Sequence, residues 1–340
     1  MTEAQAWKKY QMKEYMRVRL NNGWNWVMEK AYMKKYKHVK SEMDDLAGKP
    51  IMGVEATSEY IAKKIMKQKP FFAGRYGATE FNMIVQALNV RYGRKEDNRK
   101  PALCDMCLGP GFFPKNMRLA EKFVDLMLEE IPNIDLHGIW PMYMEEYIID
   151  RYEKNVRLTT LENLEPFRVP VDSQTKPWSY ALAGKKVLVV HPFVETIRKQ
   201  YDNYRENIFS RVYNADDILP EFELKTLKAV QTIAGNRDIR FRTWFDALDW
   251  MKEECARTDF DVAIIGCGGY GFPLASEIKR MGKIAIHLGG ATQLLFGIKG
   301  RRWEDPVYEW YPRTVNESWV RPNGDERVNK LESIENGCYW

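Results

Sequence analysis

The stretch DVAIIGCGGYGFPLASEIKRMGKIAIHLGGATQLLFGIKG, Asp261 to Gly300, decides the fold. Val262 to Ile265 is an unbroken apolar run, the pattern of a parallel strand covered on both faces. Gly266, Gly268 and Gly271 follow with G-x-G-x-x-G spacing. Pro273 falls in the first turn of a helix that continues from Leu274 to Met281 and stops at Gly282. Lys283 to Leu288 reads as the next strand, closed by Gly289-Gly290 and a short helix from Thr292. Strand, glycine turn and helix, met twice, predict an α/β fold with a mostly parallel sheet and flanking helices.

Such a turn lets the backbone approach a phosphate, with free N–H groups at the helix start pointing toward it. The alternative is that the glycines only let helix and strand pack closely. Two glycine turns closing successive strands at one sheet edge favour a ligand, because open α/β sheets bind there. A dinucleotide site wants an acid at the end of the second strand to hold the ribose. Here that strand ends Ile286-His287-Leu288, so NAD is not expected.

Outward from this core, Phe71-Phe72-Ala73 is a short buried strand leading into Gly74-Arg75-Tyr76-Gly77-Ala78-Thr79-Glu80. A helix through Phe81, Ile84, Val85 and Leu88 follows. This second strand-to-helix turn places a guanidinium and a carboxylate at a strand mouth. Lys185 to Val190 is a strand that delivers His191-Pro192-Phe193. A histidine at the carboxyl end of a parallel strand is a candidate for chemistry. Ile134 to Ile139 and Leu224 to Ile233 read as further strands. Residues from Thr57 to about Lys67, Met117 to Glu130, Thr196 to Phe209 and Trp244 to Cys255 read as helices. Residues 91–118 read as a long loop, 156–184 as irregular, and Asp45 to Pro50 as a linker. Glu145, Glu146, Asp150 and Arg151 are expected on an exposed helix face. From Asn316 the chain reads as polar, with little core. The division expected is a basic aromatic helical arm over 1–50, an α/β body over 51–312 and a C-terminal tail over 313–340.

Charge is concentrated at one end. Residues 1–40 hold ten Lys and Arg against three Glu, an excess of +7 in a chain of net +5. The body is therefore close to neutral, and no recognised module argues for nucleic acid. The arm, read as two helices broken near Asn21-Asn22-Gly23, interleaves its lysines with Trp7, Trp24 and Trp26. Two readings follow: an arm packed on the body, which takes precedence, or an interfacial helix pair resting on an anionic membrane. Five cysteines, an odd number, point to a reducing compartment, and Cys104-x-x-Cys107 alone is a weak zinc signal. Lysines interrupt any leader-like apolar run, so a cytoplasmic protein is expected, peripheral at the inner membrane face if the arm engages lipid.

The pairing of an early R-[FY]-G-x-x-E turn with a late glycine turn resembles the GT-D type bacterial glycosyltransferases. It also resembles capsule- or exopolysaccharide-associated proteins sharing four motifs, here Gly74 to Glu80, Val190 to Phe193, Ile265 to Gly271 and His287 to Trp303. The resemblance implies a Rossmann-like α/β fold, a nucleotide-sugar donor of the UDP type and a saccharide or lipid-linked acceptor. It also implies an Asp-x-Glu motif serving Mn²⁺ or Mg²⁺ at the early turn. Here that frame reads Ala78-Thr79-Glu80, which keeps the Glu and loses the Asp. Glu80 is then either a lone metal carboxylate or the base for an acceptor hydroxyl. The diphosphate is assigned to the backbone at Gly268, Gly269 and Gly290, with Arg75, Lys299 and Arg302 as cations. His191 and His287 are candidates for contact with a phosphate or a sugar hydroxyl. Gly74, Gly77, Gly266, Tyr270 and Gly289 complete the expected donor site. Two alternatives stand beside this: a nicotinamide-dependent oxidoreductase, and a non-catalytic nucleotide-binding scaffold in polysaccharide assembly.

Overall fold

The protein is seen here in a computed structural model that describes residues 1–22, 44–93, 97–140, 142–334 and 337–340. Its strands are β1 (Asp45–Leu46), β2 (Lys49–Met52), β3 (Phe71–Gly74), β4 (Leu136–Ile139), β5 (Arg157–Thr160), β6 (Lys186–His191), β7 (Glu223–Lys228), β8 (Val262–Ile265) and β9 (Ile284–His287). They form one sheet in the order β1-β2-β5-β4-β3-β9-β8-β6-β7. Every pairing is parallel except β1 with β2. The helices are α1 (Glu3–Asn22), α2 (Val54–Met66), α3 (Ala78–Arg91), α4 (Arg99–Leu108), α5 (Met117–Glu130), α6 (Glu145–Tyr152), α7 (Val194–Ile208), α8 (Ala215–Ile218), α9 (Trp244–Arg257), α10 (Gly271–Arg280), α11 (Thr292–Leu295) and α12 (Tyr311–Thr314). This is the α/β architecture expected from the strand–turn–helix pattern.

The sheet separates two apolar layers, and the two-residue side-chain period of each strand feeds both. Leu188 and Val190 of β6 face the layer built by α3, α5, α9 and α10, with Phe81, Phe123, Trp244 and Leu274. Val187 and Val189 face the opposite layer, with Ile61, Ile197, Leu294 and Trp178. Right-handed crossovers fix which face each helix covers. Strands β3 and β8 therefore lead into α3 and α10 on one face, while β9 and β6 lead into α11 and α7 on the other. In the order β3-β9-β8-β6 the exits alternate in face, which opens a crevice at the carboxyl ends of these four strands.

Several local expectations are corrected. Residues 99–108, read as loop, are helix α4, which buries Ala102 and Leu103 with Met106 one turn on. Pro101 stands in its first turn, where a missing N–H costs nothing. The 45–50 linker is drawn into the sheet as β1 and β2, and part of 156–184 becomes β5. Glu145 and Glu146 are buried, not exposed. Glu146 pairs with Lys13 of α1, and Glu145 lies 3.8 Å from His137 Nε2. The stretch after Asn316 does contribute core: Trp319, Leu331, Ile334 and Cys338 are all buried.

Helix α1 packs on the body. Trp7 is 1% exposed, sits edge-on to Tyr147 at 4.7 Å, and donates from Nε1 to Asn89 Oδ1 at 3.1 Å. Glu3 pairs with Arg151 and accepts from the Tyr147 hydroxyl. Trp7 thus belongs to the core, whereas Trp24, Trp26 and the second helix expected in the arm lie outside the described residues. Among the described residues no helix is long and apolar enough to cross a membrane. Trp7→Ala should cost about 3–5 kcal/mol, the usual range for a buried tryptophan. Chemical unfolding measures this, and a loss under about 1 kcal/mol, typical of surface substitutions, would contradict the packing.

Candidate functional site

The crevice holds a cavity of about 200 Å³. From the early turn it is lined by Arg75, Gly77, Ala78, Thr79 and Glu80. The ends of β6, β8 and β9 contribute His191, Gly266, Cys267, Gly268, Tyr270, His287, Gly289, Gly290 and Gln293. Arg302, Trp140, the Gly109-Pro110 lip and the 229–233 segment complete most of the wall. The remaining wall is Pro192 and Phe193 beside His191, with Ile334, Tyr339 and Trp340 from a stretch the sequence reading left without a role.

The glycines explain how these groups come together. A β-carbon at Gly289 would lie 2.5 Å from Arg75 Nη2, so the guanidinium lies directly on that backbone, which also has a φ of +61°. A β-carbon at Gly266 would come within 2.7 Å of both His191 Cδ2 and Thr292 Cβ. At Gly271 it would overlap the His287 ring, at Gly290 the Tyr339 ring, and at Gly77 the Glu80 carboxylate. Each of these glycines seats one side chain of the cavity wall. The packing explanation for the glycine spacing therefore accounts for more of it than phosphate contact does. Gly268 alone stands open at the rim, with φ +57° and no neighbour nearer than Pro110 O at 3.8 Å.

Three of the expected residues do not line the cavity. Gly74 is buried at the end of β3, where a β-carbon would meet Phe72 Cε2 at 2.6 Å. Gly269 is buried beneath Pro110, and a β-carbon there would lie 3.5 Å from Glu80 Oε1. Lys299 sits outside the wall, its N–H donating to Val320 O at 2.7 Å.

Glu80 is the third residue of α3, with Gly77 as its cap. Its carboxylate folds back over Gly77 and accepts from its own backbone N–H. Burial raises its pKa above the ordinary 4.5, against the opposing pull of that N–H and of Arg75. Arg75 donates from Nη1 to Tyr76 O at 3.0 Å, and its buried Nε has no partner.

The two histidines are neutral and opposite in tautomer. Burial holds the pKa of His191 down to about 3, and burial followed by the Arg75 charge does the same for His287. His191 Nδ1 accepts from Phe193 N–H at 3.0 Å, so its proton is on Nε2. His287 Nδ1 lies 3.2 Å from Ile265 O, which can only accept, so its proton is on Nδ1.

Beneath the early turn lies a buried polar cluster that sequence reading missed. The Tyr76 hydroxyl donates to Glu153 Oε1, and His137 Nδ1 is 2.9 Å from Glu153 Oε2. Burial works against a charged His137, and the Glu153 carboxylate outweighs it and raises the pKa. Because Tyr76 is tied to β4 and α6 in this way, Arg75 and Gly77 on either side of it are held in place. His137 lies inside β4, where the sequence carries no signal for it, and its partners are far apart along the chain.

Among the described residues no group of three or more His, Cys, Asp or Glu converges as a metal site. With Ala78 in the aspartate position and Glu80 folded onto its own helix cap, the residues present do not fit a metal held by protein ligands alone.

No family model matches this chain, and no curated protein matches it. Among solved structures it is similar to a selenomethionine-substituted structure of domain of unknown function 1792. The identity is 14%, the TM-score 0.41, and the match covers 78% of this chain and 82% of that one.

The tautomer pair is directly measurable. Nitrogen-15 NMR of the imidazoles at pH 6 should show His191 as Nε2–H and His287 as Nδ1–H, both uncharged. Their folded pKa values lie below the unfolded 6.5, so the stability they contribute is complete above 6.5 and is lost as pH falls toward about 3. A charged imidazole at either position at pH 6 would overturn the assignment.

Proposed function

We propose that this chain is a glycosyltransferase that moves a sugar from a nucleoside diphosphate sugar, of the UDP type, to a saccharide or lipid-linked acceptor. The observation that carries the reading is the convergence of Arg75, Arg302, two neutral histidines and a half-buried Glu80 on one crevice at the strand ends. The motif resemblance to GT-D enzymes points the same way.

In this reading the bond from the anomeric carbon to the donor phosphate breaks, and a bond to an acceptor oxygen forms. Negative charge grows on the leaving diphosphate and positive charge at the anomeric carbon. Arg75 and Arg302 stabilise the diphosphate; Arg75 presents a planar fork suited to paired phosphate oxygens. His191, with its proton on Nε2, donates a hydrogen bond without adding charge. His287 Nε2 is an acceptor and can hold a hydroxyl. Glu80 takes the proton from the acceptor hydroxyl. Its raised pKa makes it a stronger base than an exposed carboxylate. No step is assigned to a metal. The loss of aspartate at Ala78 also favours a second reading, in which the crevice binds the nucleotide and catalyses nothing.

A thermal-shift screen against UDP-, GDP-, CMP- and dTDP-sugars, with and without Mn²⁺, tests both. A bound donor stabilises the fold by about 2.7 kcal/mol at a hundredfold excess over Kd. A UDP-sugar that raises the melting temperature and is hydrolysed or transferred supports the first reading. Binding without turnover supports the second, and no shift with any of the sugars contradicts both.

Glu80→Gln keeps the shape and removes the charge. Turnover should fall by about 10²-fold or more with donor affinity little changed. The wild-type rate should also decline as pH drops below the raised pKa of Glu80. The stability effect runs the other way. The folded pKa lies above the ordinary 4.5, so wild-type stability is highest below 4.5 and falls as pH rises through the folded value. The melting temperature of the variant should therefore gain on the wild type as pH rises. Full activity with unchanged pH dependence of melting would exclude both roles.

A further inference from the structure

We propose that Tyr339 and Trp340 form the wall against which the ring of the transferred sugar packs, an assignment that rests on the donor reading above. Both residues line the cavity, on the side formed by Gly290, Gln293 and Arg302. Tyr339 lies so close to Gly290 that no β-carbon fits there, so this second glycine of the late turn exists to admit an aromatic ring. The Arg302 guanidinium stands 4.9 Å from the centre of that ring.

The pair is held in position by the body. Gln293 Nε2 donates to Tyr339 O at 3.1 Å, and Arg301 N–H donates to Trp340 O at 3.3 Å. The Trp340 ring meets Phe193, itself 1% exposed, edge to face at 5.2 Å. An aromatic wall fixed from behind by backbone hydrogen bonds offers rigid, amphipathic contact area at little cost in side-chain entropy.

Size and polarity select the ring. A cavity of about 200 Å³ is below the roughly 300–1,000 Å³ that encloses a whole drug-sized ligand, so it takes only part of a nucleotide sugar. With arginines on the same wall for the diphosphate, the enclosed part is the sugar next to it, and the base lies toward the opening. Trp340 Nε1 is a buried donor without a partner, and Gln293 Oε1 is a buried acceptor without one. A sugar hydroxyl both donates and accepts, so a small shift of either side chain lets one ligand satisfy both kinds of group. The apolar C–H face of a pyranose packs on the aromatic ring, while its hydroxyl rim meets these polar atoms.

The test is calorimetric titration of wild-type protein, Trp340→Ala and Trp340→Phe with UDP, UDP-glucose, UDP-galactose and UDP-N-acetylglucosamine. Wild-type protein should bind at least one UDP-sugar more tightly than UDP. Trp340→Ala should weaken that sugar nucleotide by about tenfold, while UDP affinity stays unchanged. Trp340→Phe keeps the ring, guards against loss of fold, and should retain most of the preference. Equal weakening of UDP and UDP-sugar would mean that the wall holds the base, and it would overturn the proposal. So would unchanged affinity for both, or a wild-type protein that binds UDP with no preference for any of the three sugars. A wild-type protein that binds none of the four ligands would instead overturn the donor reading itself, and this assignment with it.

Discussion

The close approach of Arg75 to Gly289 is the contact on which the site depends. Strands β3 and β9 are neighbours at the middle of the sheet, where the early and late parts of the chain meet. Arg75 leaves β3 and lies across the backbone that leaves β9, at a position where a side chain is barred both by space and by a φ of +61°. From behind, Tyr76 is fixed to Glu153, and in front the guanidinium charge helps to keep His287 neutral. One steric allowance therefore sets the place of the main cation, the protonation of a histidine and the registration of the two halves.

The same logic changes the meaning of the G-x-G-x-x-G spacing. In a dinucleotide-binding sheet such glycines admit a pyrophosphate to the backbone. Here Gly266 and Gly271 admit His191 and His287, and Gly289 and Gly290 admit Arg75 and Tyr339. The backbone gives up its close contact with a ligand and receives side chains that can make that contact. A cavity built this way is small, with arginines, histidines and aromatic rings side by side in its wall.

The parts of this arrangement visible in the sequence are those with a local signature. The unbroken run Val262 to Ile265, the stop at Gly282 and the turn around Arg75 announce strands and helices within a few residues, and His191 and His287 declare themselves by ending strands. What stayed hidden has distant partners. Glu145 and Glu146 look like surface carboxylates until His137 and Lys13 are brought beside them. Helix α4 was masked by Pro101 and by a short apolar face of Ala102, Leu103 and Met106. Tyr339 and Trp340 carry no periodicity, because each packs singly from a turn rather than along a helix or strand. The three expected residues outside the wall, Gly74, Gly269 and Lys299, share a motif with wall residues but face the interior or another segment.

The central claim is that the crevice at the ends of β3, β9, β8 and β6 receives the diphosphate of a sugar nucleotide. A crystal structure of the protein soaked with UDP tests it most directly. The account requires the diphosphate to lie in this cavity, within hydrogen-bonding distance of Arg75 or Arg302 and at the rim formed by Gly268. UDP bound at any other surface, with Arg75 still on Gly289 and the cavity free of phosphate, would contradict it.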